Sequence, residues 1–430
     1  MADLVVRKTE RLEGTSSAPP SKAYTHRALV AASLSEGQNI IKKALICDDT
    51  LATVQACSLL GADIRKVKED FVVNGTSKPA TPEDIIHCRD SGSTLRFLTP
   101  VCALVEGVTV LTGNEGLRRR PMEPLLAALK QLGVRCHSAR DDGRPPVIVF
   151  GGGIKGGKAS IRGDVSSQFI SGLLFASPKA QSDTEIFLTT KLESKPYVEM
   201  TLDVLGDHGV KVEASEDFRR FSVPAKQEYK PFNRVVPGDY SSAAFLLAAA
   251  AVTNSRVKVT NLQRETLQGD RVIVKILDEM GVQLDVGGDY VEVKGVRQKL
   301  KGIKVDVRDT PDLAPVCAIL ACLAHGKSII NGARRLRFKE SDRIVSISEE
   351  LRKMGGKIKE AEEKLVIEGT GKLQGAELNS HNDHRIAMAC AVAALRAQGT
   401  TLIHGIECVK KSYPNFVEDL RSLGGEAHVR

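Results

Sequence analysis

The sequence predicts an α/β protein of two lobes, each built from three repeated units with buried helices. Two periodic patterns support this. One is a nearly all-apolar helix behind a short polar start, recurring six times at intervals of about 70 residues. The other is an amphipathic segment that ends in Gly and leads into a pair of alternating strands, with the same period. A helix that is apolar on every side belongs in a core, so only its polar first turn is left to meet a ligand.

The first unit opens at Pro19-Pro20-Ser21-Lys22, and its strand pair is Ile64 with Phe71-Val72-Val73 after Leu60-Gly61. The second opens at Arg89-Asp90-Ser91-Gly92 before the apolar run 95–105, with strands after Leu132-Gly133 and at 147–150. The third opens at Asp164-Val165-Ser166-Ser167-Gln168, followed by His208-Gly209 and Phe221-Ser222-Val223. Gly238-Asp239-Tyr240-Ser241 starts the fourth, with strands after Met280-Gly281 and at 290–293. Asp309-Thr310-Pro311-Asp312 starts the fifth, with strands after Met354-Gly355 and at 365–367. The sixth starts at Ser380-His381-Asn382-Asp383-His384-Arg385, and its Leu423-Gly424-Gly425 runs off the chain end. Leu4-Val5-Val6 is expected to supply the missing strand, which puts both termini in one lobe. The lobes are then 1–14 with 227–430, and 15–226, with crossovers in the Pro/Ser-rich segment Gly14–Pro20 and the polar segment Lys226–Pro231.

Composition narrows the functional class. Two domains suit 430 residues. No uncharged apolar run of about 18 residues occurs and no leader peptide is recognisable, so neither a membrane span nor export is expected. The nine cysteines are scattered, several of them inside apolar helices, and none forms C-x-x-C. They read as reduced core residues of a cytoplasmic protein. The net charge is +8, but Trp is absent and aromatic residues make up 4%. Basic residues recur beside the helix starts, which favours a small polyanion over nucleic acid.

A helix N-terminus leaves N–H groups open and carries the positive end of the macrodipole. Lys22 and Arg27 sit near one such end, an unfavourable place for two cations until an anion joins them. Gly92 lets a ligand approach backbone at another, and Arg120 follows a strand end with a side chain suited to carboxylate or phosphate. Ser166, Ser167 and Gln168 form a plausible phosphate cradle, and the Ser194-Lys195-Pro196-Tyr197 loop adds hydroxyls. Asp312 directly precedes a buried helix, where it either caps that helix or acts as a general base. Lys339, Glu340 and Arg343 lie in one charged segment, and Arg385 and Lys411 complete the set. His381 and His384 have metal-compatible spacing but no evident third ligand, so no metal is expected.

Taken in this order and spacing, these segments resemble the 5-enolpyruvylshikimate-3-phosphate (EPSP) synthase family over essentially the whole chain. The resemblance rests on Ser21-Lys22 with Arg27, 163–169, 194–197, 339–343 and 382–385. It implies an inside-out α/β barrel of two lobes, with sheets outside the buried helices. It also implies transfer of the enolpyruvyl group of phosphoenolpyruvate to the 5-hydroxyl of shikimate 3-phosphate, without cofactor or metal, by a cytoplasmic monomer whose lobes close on the substrates. Shikimate 3-phosphate would meet Lys22, Ala23, Arg27, Ser166, Ser167, Gln168, Ser194, Tyr197, Asp312 and Lys339. Phosphoenolpyruvate would meet Lys22, Gly92, Arg120, Gln168, Arg343, Arg385 and Lys411. Asp312 is the expected base and Glu340 the expected acid, with Lys22 sharing the proton transfer. The chain departs from the family pattern at Ala23, where a serine is usual, and across Asp90-Ser91-Gly92-Ser93. The sister transferase that acts on UDP-N-acetylglucosamine usually carries a cysteine in the loop that here reads Arg118-Arg119-Arg120-Pro121. A sliding clamp would need outward-facing basic helices, not buried apolar ones.

Overall fold

The computed structural model describes residues 2–430. The chain forms two compact units, one of Met1–Pro19 with Pro237–Arg430 (unit 1), the other of Pro20–Val236 (unit 2). Each contains three four-stranded sheets, and all six sheets share one pattern: a parallel pair, then two antiparallel neighbours. The N-terminal strand Asp3–Arg7 lies between Thr400–His404 and Ala427–Val429, completing the sixth sheet as the sequence expects.

The passages between units fall at 19/20, within the expected crossover Gly14–Pro20, and at 236/237, past the expected Lys226–Pro231. Hydrogen bonding is the reason. Glu13–Ser17 is a strand parallel to Arg256–Thr260 and so stays with unit 1. Arg234–Val235 pairs with Ile41 and Lys42 and so stays with unit 2. In both places the strand ahead of a buried helix remains in the unit that the chain is leaving.

In unit 2 the helices that position functional groups are α1 (Lys22–Ser33), α2 (Asp48–Leu59), α3 (Gly92–Val101), α4 (Ser167–Ala176) and α5 (Lys195–Asp207). In unit 1 they are α6 (Tyr240–Val252), α7 (Ala314–Leu323), α8 (Arg343–Lys353) and α9 (His384–Ala394). Every residue of α6, α7 and α9 is buried. Side chains cap five of the six buried helices: Ser21, Ser91, Ser166, Asp239 and Asp383 each accept a backbone N–H of the first turn. The sixth, α7, is entered through the 3₁₀ turn Pro311–Leu313 and has no side-chain cap, which leaves Asp312 available for other partners. None of the described helices is long and apolar enough to cross a membrane.

Close packing fixes the separation of α3 and α4. Phe97 and Phe175 meet edge to face with centroids 5.4 Å apart, worth about 0.5–1.5 kcal/mol beyond the area buried. Gly172 faces the Arg96 carbonyl so closely that a Cβ would lie 2.3 Å from its oxygen. Gly206 in α5 has nothing within 4 Å of the same position. Gly172→Ala is therefore expected to lose about 1–3 kcal/mol through overpacking, while Gly206→Ala gains about 0.5–1 kcal/mol from helix propensity. Thermal unfolding of the two variants checks this. Shifts of the same sign would refute the close-approach account.

Candidate active site

In unit 2, Lys22 begins α1 and its Nζ donates to Asp49 Oδ2 at 2.9 Å, from the first turn of α2. Arg27, one and a half turns on, is 2% exposed and engaged on three sides. Its Nε donates to Thr201 Oγ1 at 2.9 Å, Nη1 to the Ala23 carbonyl at 2.8 Å, and Nη2 to the Tyr197 carbonyl at 2.8 Å. Burial pulls its guanidinium down to about 10. Ala23, where a hydroxyl was expected from the resemblance, thus uses its backbone oxygen to orient Arg27.

A second unit 2 cluster gathers around the start of α4. Gln168 Oε1 accepts from Arg96 Nη1 at 2.8 Å, and its Nε2 donates to Ser93 Oγ at 2.7 Å. Ser166 caps the helix and lies 3.5 Å from Arg96 Nη1, with Ser167 buried beside it. A Cβ on Gly92 would stand 2.8 Å from Arg120 Nη1, so only glycine leaves that space open. Ser194 is buried, with left-handed backbone (φ +58°), at the start of α5.

The unit 1 cluster combines acids with cations. Asp312 Oδ1 accepts from Arg343 Nη1 at 2.8 Å and Lys339 Nζ at 3.4 Å, and Oδ2 from Arg385 Nη2 at 3.5 Å. Burial raises the Asp312 carboxyl, but these three cations outweigh it and hold the group well below its ordinary range. Arg343 is 1% exposed and also donates to Glu340 Oε2 at 2.7 Å and to both oxygens of Asp383, at 2.8 and 3.2 Å. Burial lowers the Lys339 ammonium, opposed by Asp312. Lys411 Nζ donates to the Asn382 carbonyl at 2.8 Å and to Asn382 Oδ1 at 3.1 Å. Arg385 is 2% exposed, and its Nε and Nη1 have no hydrogen-bond partner.

All but two of the sequence-expected residues thus fall into three groups: Lys22, Ala23, Arg27 and Tyr197; Gly92, Arg120, Ser166, Ser167 and Gln168; and Asp312, Lys339, Glu340, Arg343 and Arg385, while Ser194 starts α5 and Lys411 binds Asn382. Several partners escaped sequence reading. Asp49, Arg96 and Asp383 orient Lys22, Gln168 and Arg343. Asp270 accepts the Ser241 hydroxyl, and burial, then the charge of Asp312, pushes its carboxyl up to about 7. Only the acidic first turn of α2 gave a local signal, for Asp49. Among the described residues, one group with metal-compatible spacing is Glu349, Glu350 and His381, a set that does not include His384. Glu350 there already accepts from Lys353, Asn379 and His381.

A family profile described as EPSP synthase (3-phosphoshikimate 1-carboxyvinyltransferase) matches residues 6–420. The chain is 46% identical over 430 residues to the 3-phosphoshikimate 1-carboxyvinyltransferase of Methanocaldococcus jannaschii, covering 99% of each chain. It is 44% identical over 420 residues to the enzyme of the same name from Methanosarcina mazei, covering 96% of each. Among solved structures, EPSP synthase from Acinetobacter baumannii superposes with a TM-score of 0.84 at 28% identity, with both chains covered completely. An enolpyruvyl transferase from Streptomyces tendae shares the fold at a TM-score of 0.81 and 19% identity, covering 100% of this chain and 99% of that one. With its six repeated sheets, its buried helices and a profile match spanning nearly its whole length, the chain belongs to the EPSP synthase family, the 3-phosphoshikimate 1-carboxyvinyltransferases.

Proposed function

We propose that this chain transfers the enolpyruvyl group of phosphoenolpyruvate to the 5-hydroxyl of shikimate 3-phosphate with Asp312 as base and Glu340 as acid. The observation that carries the reading is Arg385, a buried guanidinium with two unpartnered nitrogens beside Asp312. Unpartnered buried donors are costly, and an anionic carboxylate or phosphate offsets that cost with charge-assisted bonds. In this reading Arg343, Arg385 and Lys411 of unit 1 and Lys22, Gly92, Arg120 and Gln168 of unit 2 contact phosphoenolpyruvate. Ser166, Ser167 and Gln168 take the phosphate of shikimate 3-phosphate, and Lys22, Ala23, Arg27, Ser194, Tyr197, Asp312 and Lys339 take its remaining groups.

The chemistry follows from the charges. Glu340 delivers a proton to the methylene carbon of phosphoenolpyruvate, with Lys22 sharing that work. The 5-hydroxyl oxygen attacks the adjacent carbon and passes its proton to Asp312. The tetrahedral adduct then expels phosphate, and Glu340, left as a carboxylate by the first step, takes a methyl proton back, which restores the double bond as an enol ether. Asp312 is ionised throughout the neutral range, the form a base needs, but its three cations also make it a weak one. Phosphoenolpyruvate would share those cations, so its binding raises the basicity of Asp312 when the base is required. A cytoplasmic location and a monomeric state belong to the same reading, as the family resemblance implies.

The direct test is phosphate release from phosphoenolpyruvate with and without shikimate 3-phosphate. Release that requires shikimate 3-phosphate supports the assignment, whereas release that requires UDP-N-acetylglucosamine replaces it with the sister reaction. Asp312→Ala is expected to bind both substrates and lose about 10²–10⁴-fold in turnover; unchanged turnover would remove Asp312 from the mechanism. Affinity for both substrates should fall as salt rises, because charge attraction is screened. Salt-independent dissociation constants by calorimetry would count against the cationic-site account.

A further inference from the structure

Below Lys22, unit 2 holds a line of buried polar groups that the clusters above do not explain. His26 Nδ1 lies 2.7 Å from Thr53 Oγ1, and Thr53 Oγ1 lies 2.7 Å from Thr94 Oγ1. The Thr94 hydroxyl donates to Ser91 Oγ at 2.6 Å. All four residues are 0% exposed. The line runs from α1 through α2 to α3 and ends on the residue that caps α3.

Each residue sits one layer beneath a group of the candidate site. Lys22 lies one turn before His26 on α1, and Asp49, which holds Lys22, lies one turn before Thr53 on α2. Ser91 directly precedes Gly92. The direction of the line also fixes the histidine. With Thr94 donating to Ser91, Thr53 donates to Thr94, and the hydrogen facing Thr53 must come from His26 Nδ1. Burial disfavours the charged imidazole and holds His26 well below its ordinary range, so the ring is neutral. Its Nε2 is then a buried acceptor with no partner.

Packing alone does not account for such an arrangement. Replacing both members of a buried hydrogen bond with apolar groups of the same shape is close to neutral in stability, and an orphaned nitrogen carries a cost. What hydroxyls add is direction, and threonine is stiff at χ1, so each bond sets the rotation of one helix against the next. We propose that His26, Thr53, Thr94 and Ser91 form a positioning ladder. It holds Lys22, Asp49 and the start of α3 at Gly92 in the register that phosphoenolpyruvate requires. This rests on the assignment of Lys22 and Gly92 made above.

The test uses Thr53→Val and Thr94→Val, which keep volume and remove one hydroxyl, beside Thr53→Ser and Thr94→Ser, which keep it. In the full chain, each valine variant is expected to raise the KM for phosphoenolpyruvate about tenfold. The unfolding midpoint should fall modestly, because one buried hydrogen-bond partner is lost. The Kd for shikimate 3-phosphate should weaken less than the KM for phosphoenolpyruvate, since Lys22 is one of several contacts there and Arg27 and Ser166 lie off the ladder. The serine variants should recover the parental KM. Nitrogen-15 spectra should show His26 as the Nδ1–H tautomer and a shifted ring signal in Thr53→Val. An unchanged KM, equal losses for both substrates, or serine variants no better than valine would each overturn the ladder. A parent protein without shikimate 3-phosphate-dependent release would overturn the functional assignment and the ladder together. An active parent with unaffected valine variants overturns the ladder alone.

Discussion

One buried guanidinium organises the charged cluster of unit 1. Arg343 is almost wholly out of water and touches three carboxylates, Asp312, Glu340 and Asp383, each from a different segment. Burial alone would lower its guanidinium, but the three acids hold it well above its ordinary range. Removing one partner of such a buried set costs about 3–5 kcal/mol, because the remaining charge is left uncompensated. The starts of α7, α8 and α9 are therefore held together by charge as well as by their apolar bodies. Ser341 extends the set by donating to Asp383 at 3.1 Å.

Unit 2 meets a different requirement. Two of its buried arginines meet carbonyls, hydroxyls and an amide: Arg27 meets Ala23, Tyr197 and Thr201, and Arg96 meets Gln168 and Ser166. Neutral acceptors aim a guanidinium without cancelling its charge, which suits a surface that binds anions. Lys22 is an exception, paired with Asp49 at 2.9 Å. The same polar-start, apolar-body unit thus gathers acids with cations in one half of the chain and cations with neutral acceptors in the other.

The architecture was readable because its signals are local. A serine or aspartate ahead of an apolar run is visible in a few residues, and the cap geometry at Ser21, Ser91, Ser166, Asp239 and Asp383 matches that reading. Asp312 had two open readings, cap or base; the 3₁₀ entry to α7 removes the first. Asp49, Arg96, Asp270 and Asp383 were not legible as partners, because each pairing depends on which helices pack side by side. The strand before α1 escaped for a related reason. Glu13–Ser17 looks like linker by composition and becomes a strand through its pairing with Arg256–Thr260, far along the chain.

The position of Asp3–Arg7 between Thr400–His404 and Ala427–Val429 bears on how the protein is made. This strand precedes unit 2 in the chain, but both of its neighbours follow unit 2. Unit 2 has all its residues once Val236 has emerged and is able to fold while synthesis continues. Its sibling must wait for the C-terminus, with an apolar strand and the edge strand Glu13–Ser17 left unpaired in the meantime. Pairings this distant in sequence are slow to form. Asp3–Arg7 and Glu13–Ser17 are therefore made before unit 2 and find their partners only after it, so two strand edges wait open across the synthesis of a whole unit.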